Sequence, residues 1–240
     1  PSLAAGYLAL HTSDPVVAAA RFRDAIAFAP SWPEAHEWLG RMLIEAGYVK
    51  EGRARLLQAI RLDPALAYVR WEIARAHALD GEWGEHDRMI ARFPGLDRGR
   101  WLGRLRVLAW RGDRPPIEAL GEQIRACAPS AVFDPAVCMA FLELVLERQS
   151  AWERHGELVL SRAFTDTFAS VRRTIFYAQL ACEIAAHCGQ TEIAAELLVR
   201  GTERGLFDLH WLETCPFLEP LRAHGCYAGV RAIVADRAHR

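Results

Sequence analysis

The chain has 240 residues, 52% of them apolar, with 29 basic and 30 acidic residues and a net charge of −1. That supplies enough apolar material for a large core or a stack of smaller ones, and it leaves no strong field to attract nucleic acid or an anionic membrane surface. No apolar run approaches the roughly 18–20 residues of a membrane span, and no signal-peptide pattern opens the chain.

Read in chain order, the first third carries a period. Shifted by 34 residues, the sequence sets Gly6 on Gly40 and Ala74, Ala18 on Gly52, Phe22 on Leu56 and Ile90, Ala25 on Ala59, and Pro30 on Pro64. Small meets small, large apolar meets large apolar, and proline meets proline. Each unit reads as two helices. Its small residues let the helices approach closely, and Phe22 and Ala25, three apart, share one face of the second helix. The proline ends that helix. "TSDP" at 12–15 predicts Asp14 as an N-cap and Pro15 at the first helical position. In "EAGYVKEG", Gly47 predicts a helix end and a short turn. His86 stands where a small residue is expected, which predicts a weakened second helix in the third unit or a local shift there. The chain begins Pro-Ser-Leu inside this helical pattern and reads as a piece of something longer.

After residue 94 the period slips. "WLGR" at 101–104 echoes "WLGR" at 38–41 and predicts a further hairpin. Pro115-Pro116 opens a helix running to about Cys127, and 135–149 and 151–164 read as another helical pair. The pattern returns late in the chain, with Gly189 as the break and Ala194, Leu198 and Gly201 in the small-large-small positions. No strand-like alternation occurs. The expected division is repeats over 1–94, divergent hairpins over 95–165, and a hairpin plus a helical cap over 166–240. The final helix should bury Val230, Ile233 and Val234.

The repeating unit resembles the tetratricopeptide repeat. Leu39-Gly40, Ala18 with Phe22, Ala59 and Asp63-Pro64 stand where that motif has them, over about residues 1–93. His36 departs from the motif's first Trp, with Trp38 two residues on. The tail resembles one that follows the last repeat in multidomain bacterial signalling proteins such as serine/threonine kinases, nucleotide cyclases and transcriptional regulators. The matching residues are Trp211, Cys215-Pro216, Leu218, Pro220-Leu221-Arg222, Tyr227 and Arg237-Ala238.

The resemblance implies an all-α, right-handed solenoid of about 12–15 helices with a C-terminal helical cap. First helices would line a concave groove. The motif's groove positions fall on Tyr7, Trp38, Arg41, Glu45, Tyr68, Trp71, Glu72 and Arg75, and the echoed "WLGR" continues the arginine row to Arg104. Arg and Trp are the residues that carry most energy at interfaces. The expected role is a non-enzymatic scaffold in a cytoplasmic bacterial signalling protein, docking a protein or peptide segment in the groove. Arg75→Glu should then weaken docking without unfolding the chain. Two alternatives stand beside it: a self-association element that multimerises a parent protein, and a small-molecule sensor.

Catalytic and metal patterns are absent. There is no G-x-G-x-x-G, Walker G-K-[ST], G-x-S-x-G or H-E-x-x-H, so neither an enzyme nor a cofactor is expected. "ERHGE" at 153–157 reads as a solvated helix face, and His77 as a hydrogen-bonded, partly buried histidine. Cys182, His187 and Cys188 are poorly spaced for a metal on one helix. The six cysteines, at 127, 138, 182, 188, 215 and 226, form no CxxC pair and read as free, buried or half-buried residues.

Overall fold

The structure, a computed structural model, describes residues 2–12, 14–91, 101–127, 135–163 and 170–240. Among them are fifteen α-helices and one 3-10 turn, with no strand. The chain is all-α. The boundaries expected at 94/95 and 165/166 lie outside the described residues.

The first third forms three hairpins: α1 (Ser2–His11) with α2 (Pro15–Phe28), α3 (Pro33–Glu45) with α4 (Val49–Leu62), and α5 (Ala67–Leu79) with α6 (Trp83–Ala91). Asp14 caps α2, its carboxylate accepting the Val17 N–H at 3.0 Å, with Pro15 first in the helix. Gly47 ends α3 with φ +90°, a value that favours glycine. There the Tyr48 N–H reaches back to the Leu43 carbonyl at 2.8 Å, satisfying an end of the helix that would otherwise be unpaired. Gly189 repeats the device, with the Gln190 N–H on the Ala185 carbonyl at 2.8 Å.

The small residues of the period sit at the helix crossings. A Cβ on Gly52 would lie 2.6 Å from the Gly40 carbonyl oxygen and 2.6 Å from Ile44 Cγ1, so α3 and α4 meet backbone to backbone. Phe22, Leu56, Ala18 and Ala59 are fully buried between the helices. His86 is buried as well, bonded through Nδ1 to the Asp87 carboxylate at 3.0 Å and edge-on to Trp83.

The middle contributes α7 (Trp101–Arg111), α8 (Arg114–Arg125), α9 (Pro135–Glu147) and α10 (Gln149–Ala163). They are followed by α11 (Val171–His187) and α12 (Thr191–Glu203). Leu105, Leu120, Ile124, Leu144 and Ile184 form the core of this half. First helices touch in order: α3 meets α5, α5 meets α7, α7 meets α9, and α9 meets α11. Helix α11 then returns to α1, and Tyr7 of α1 packs edge-on against Trp38 of α3, with ring centroids 5.2 Å apart. The row of first helices therefore closes on itself.

The tail forms α13 (Leu209–Thr214), a 3-10 turn at Pro216–Leu218, α14 (Glu219–Arg222) and α15 (Tyr227–His239). Helix α15 packs on α12 and α13. Its inner face is Tyr227, Val230 and Val234, while Ile233 is 51% exposed. The expectation for Ile233 is corrected by the helical period: residues 227, 230 and 234 share a face that 233 leaves. Trp211, Cys215, Leu218 and Leu221 are fully buried. Arg237 bonds the Thr202 and Leu206 carbonyls at 3.0 and 2.6 Å, and the Tyr227 hydroxyl donates to the Leu212 carbonyl at 3.0 Å. The tail does more than cover α12, because α13 also touches α3 and α5.

Candidate functional site

Closure of the first helices leaves a cavity of about 520 Å³ among α1, α3, α5, α7, α11 and the segment entering α13. A volume of that size suits a small organic molecule. Exposed His11 and Arg173 stand at its rim, where His11 Nδ1 meets the Ser170 hydroxyl at 2.6 Å.

Helices α3 and α5 supply most of the expected residues. Trp38, Arg41 and Glu45 recur at three- and four-residue spacing on α3, so they share its inner face; Tyr68, Trp71, Glu72 and Arg75 do the same on α5. The Arg41 guanidinium lies over Trp38, 4.2 Å from the ring centroid, and over Tyr68 at 4.7 Å. Its polar neighbours are more distant: Glu72 at 3.3 Å, the Tyr68 hydroxyl at 3.4 Å and Glu37 at 3.6 Å. Arg41 Nε is buried without a hydrogen-bond partner among the described residues.

The later half of the chain answers these charges. Asp208 accepts from Arg75 at 2.7 Å, from Gln179 at 3.2 Å and from the Trp211 N–H at 3.0 Å. Arg172 of α11 makes a two-pronged pair with Glu45, one bond at 2.9 Å. Arg106 of α7 bonds both oxygens of Glu183, which is fully buried, at 2.9 Å each. Glu183 also accepts from the indole N–H groups of Trp110, at 3.0 Å, and Trp211. One carboxylate thus ties α7, α11 and α13 together.

Burial alone would raise the Glu72 carboxyl, but Arg41, Arg75 and the Tyr68 hydroxyl hold it below the ordinary carboxylate value. The same contest at Asp208 ends the same way, with Arg75, then the Trp211 N–H, outweighing burial. Burial, then the charge of Glu72, pushes Tyr68 up, so it stays a neutral hydroxyl.

Of the residues expected to bind a partner, Trp38, Arg41, Tyr68, Trp71 and Arg75 line the cavity. Tyr7 lies behind it, packed on Phe22 and Trp38. Arg104 is not among the residues that line the cavity. Helix α7 presents Gly103, Arg106 and Val107 to the cavity instead, so the echoed "WLGR" keeps its letters but not the register of α3. Helix α11 and residues 205–208 complete the wall of the cavity. Arg106, Arg172, Phe176 and Asp208 were not anticipated. Arg106 and Trp110, four apart on one helix, were the available hint.

Outside the cavity, His187 stacks on Phe217 with centroids 4.1 Å apart and bonds the Val145 carbonyl at 3.0 Å. Cys182 and Cys188 donate to the Ala194 and Leu144 carbonyls. His77 bonds Glu82 at 2.6 Å. Among the described residues, no three His, Cys, Asp or Glu side chains form a metal-binding group, and no helix is long and apolar enough to cross a membrane.

The fold and site define an all-α protein with a charged, aromatic-walled cavity at the centre of its first helices. No protein-family model matches the chain, and no curated protein is significantly similar to it.

Proposed function

We propose that the chain is a non-enzymatic binding module that takes a small organic molecule into the central cavity, as the sensing part of a cytoplasmic bacterial signalling protein. In this reading the hairpins are tetratricopeptide-like units of a right-handed solenoid whose curvature brings its ends together. The observation that carries it is the cavity itself. Its wall combines aromatic faces with a few converging charges, and residues more than 100 positions apart complete it, as in the pairs Arg75–Asp208 and Glu45–Arg172. Occupancy of a cavity shared by both halves would stabilise their contact, which is a way to transmit a signal. The repeat spacing and the signalling-type tail support the setting.

The test is a thermal-stability screen of the chain against small-molecule fractions of a cell extract. A ligand held at 100 times its dissociation constant stabilises by about 2.7 kcal/mol, a readable rise in melting temperature. No rise with any fraction would overturn the reading.

A protein-docking scaffold or self-association element is the second reading. Phe28 and Leu8 favour it, at 88% and 67% exposure on the outside of the first hairpin. Sedimentation across a range of concentrations separates the two forms: self-association raises the mass, and docking of another protein does not.

A further inference from the structure

Resting on the small-molecule reading, we infer that the cavity's ligand is a small organic acid with one carboxylate, held by Arg41, and a flat aromatic body. Three observations lead there.

The first is the unequal pairing of the arginines. Arg75, Arg106 and Arg172 each hold a carboxylate at 2.9 Å or closer. Among the described residues, the nearest polar contact of Arg41 is Glu72 at 3.3 Å, although the Arg41 side chain is only 11% exposed. A guanidinium presents five N–H donors in a plane, and buried donors without good acceptors are costly. A ligand carboxylate is the acceptor that matches the fork.

The second is charge balance. Five arginines line the cavity against Glu45, Glu72 and Asp208. Glu37, paired with Arg41, and Glu183, paired with Arg106, bring the two signs level. A polyanion such as a nucleoside triphosphate would bring several negative charges into a site with no spare positive field. A single carboxylate adds one negative charge, beside the guanidinium whose ion pairs are long, at 3.3 and 3.6 Å.

The third is the wall. Trp38 and Tyr68 flank the Arg41 guanidinium, so a carboxylate bound to it lies beside aromatic rings. Trp71 also lines the cavity. Gly103 packs against one side of the indole, where a Cβ would fall 3.5 Å from it, so the ring meets the cavity with the part that Gly103 leaves uncovered. A flat ring can pack against that part.

Two acid–amide pairs test this by calorimetric titration of the chain: 3-phenylpropionate with its carboxamide, and 1-naphthaleneacetate with its carboxamide. Each pair is nearly isosteric and differs in charge. We expect at least one acid to bind about tenfold tighter than its amide, and Arg41→Met to abolish that preference while leaving amide affinity within about twofold. Equal binding of acid and amide, or a preference surviving Arg41→Met, overturns the carboxylate assignment and leaves the cavity as a binding site. Binding of none of the four overturns the inference, while the extract screen decides separately the function it rests on. The acid–amide comparison uses the unaltered chain, so it decides the matter even where Arg41→Met fails to fold.

Discussion

Arg75 and Asp208 stand 133 positions apart in the chain and 2.7 Å apart in the fold. Both side chains are about nine-tenths buried, so neither charge has water to fall back on. Asp208 also caps α13 through the Trp211 N–H. The pair therefore fastens the tail to α5. Arg75→Glu, read from the sequence as a docking variant, places two carboxylates face to face and should cost at least about 3 kcal/mol. Denaturant unfolding measures it. Asp208→Asn, which keeps the shape and two of the bonds, should cost less, and a loss under about 1 kcal/mol for Arg75→Glu would mean the pair does not fasten the tail.

Glycine substitutions should separate close approach from helix propensity. Ala exceeds Gly in a helix interior by about 1 kcal/mol. At Gly229 of α15 nothing lies within 4 Å of a new Cβ, so Gly229→Ala should gain up to about that amount. At Gly52 the added carbon meets the Gly40 carbonyl and the Ile44 backbone nitrogen, which cannot rotate away. Gly52→Ala should therefore lose about 1–3 kcal/mol despite the same propensity gain. Melting temperatures moving in opposite directions check the pair.

Acid should loosen the closed arrangement. The Glu72 and Asp208 carboxyls are both held below their ordinary values in the folded chain. As pH falls, the unfolded chain binds protons first. The stabilisation is thus complete above the ordinary carboxylate value of about 4 and drains away as pH falls through the lower folded values. Urea midpoints taken from about pH 7 down to about pH 3 should drop in the acid limb. Asp208→Asn should flatten that limb, since one of the two groups no longer titrates.

Thiol labelling should follow burial. Burial pushes the Cys182 and Cys215 thiols well above the usual value and Cys188 up to about 12. All three are buried, whereas Cys127 and Cys226 are half-exposed. The thiolate is the reactive form. Iodoacetamide at neutral pH should modify Cys127 and Cys226 in the native chain and reach the buried Cys138, Cys182, Cys188 and Cys215 only after denaturation, as mass spectrometry of digested chain would show.

The sequence by itself determined the hairpins. Asp14-Pro15, Gly47, Gly189 and the Gly40–Gly52 crossing depend on residues a few positions apart, and caps, turns and face spacing are decided at that range. It also marked α3 and α5 as bearers of Trp38, Arg41, Trp71 and Arg75, because a 34-residue period keeps equivalent faces in register. Only the tertiary structure decided what those faces meet. Helix α7 turns Arg106 to the cavity, and α11 returns to α1. The pairs Arg75–Asp208, Glu45–Arg172 and Arg106–Glu183 join residues 133, 127 and 77 positions apart, and no local spacing encodes them. They complete the wall of the cavity.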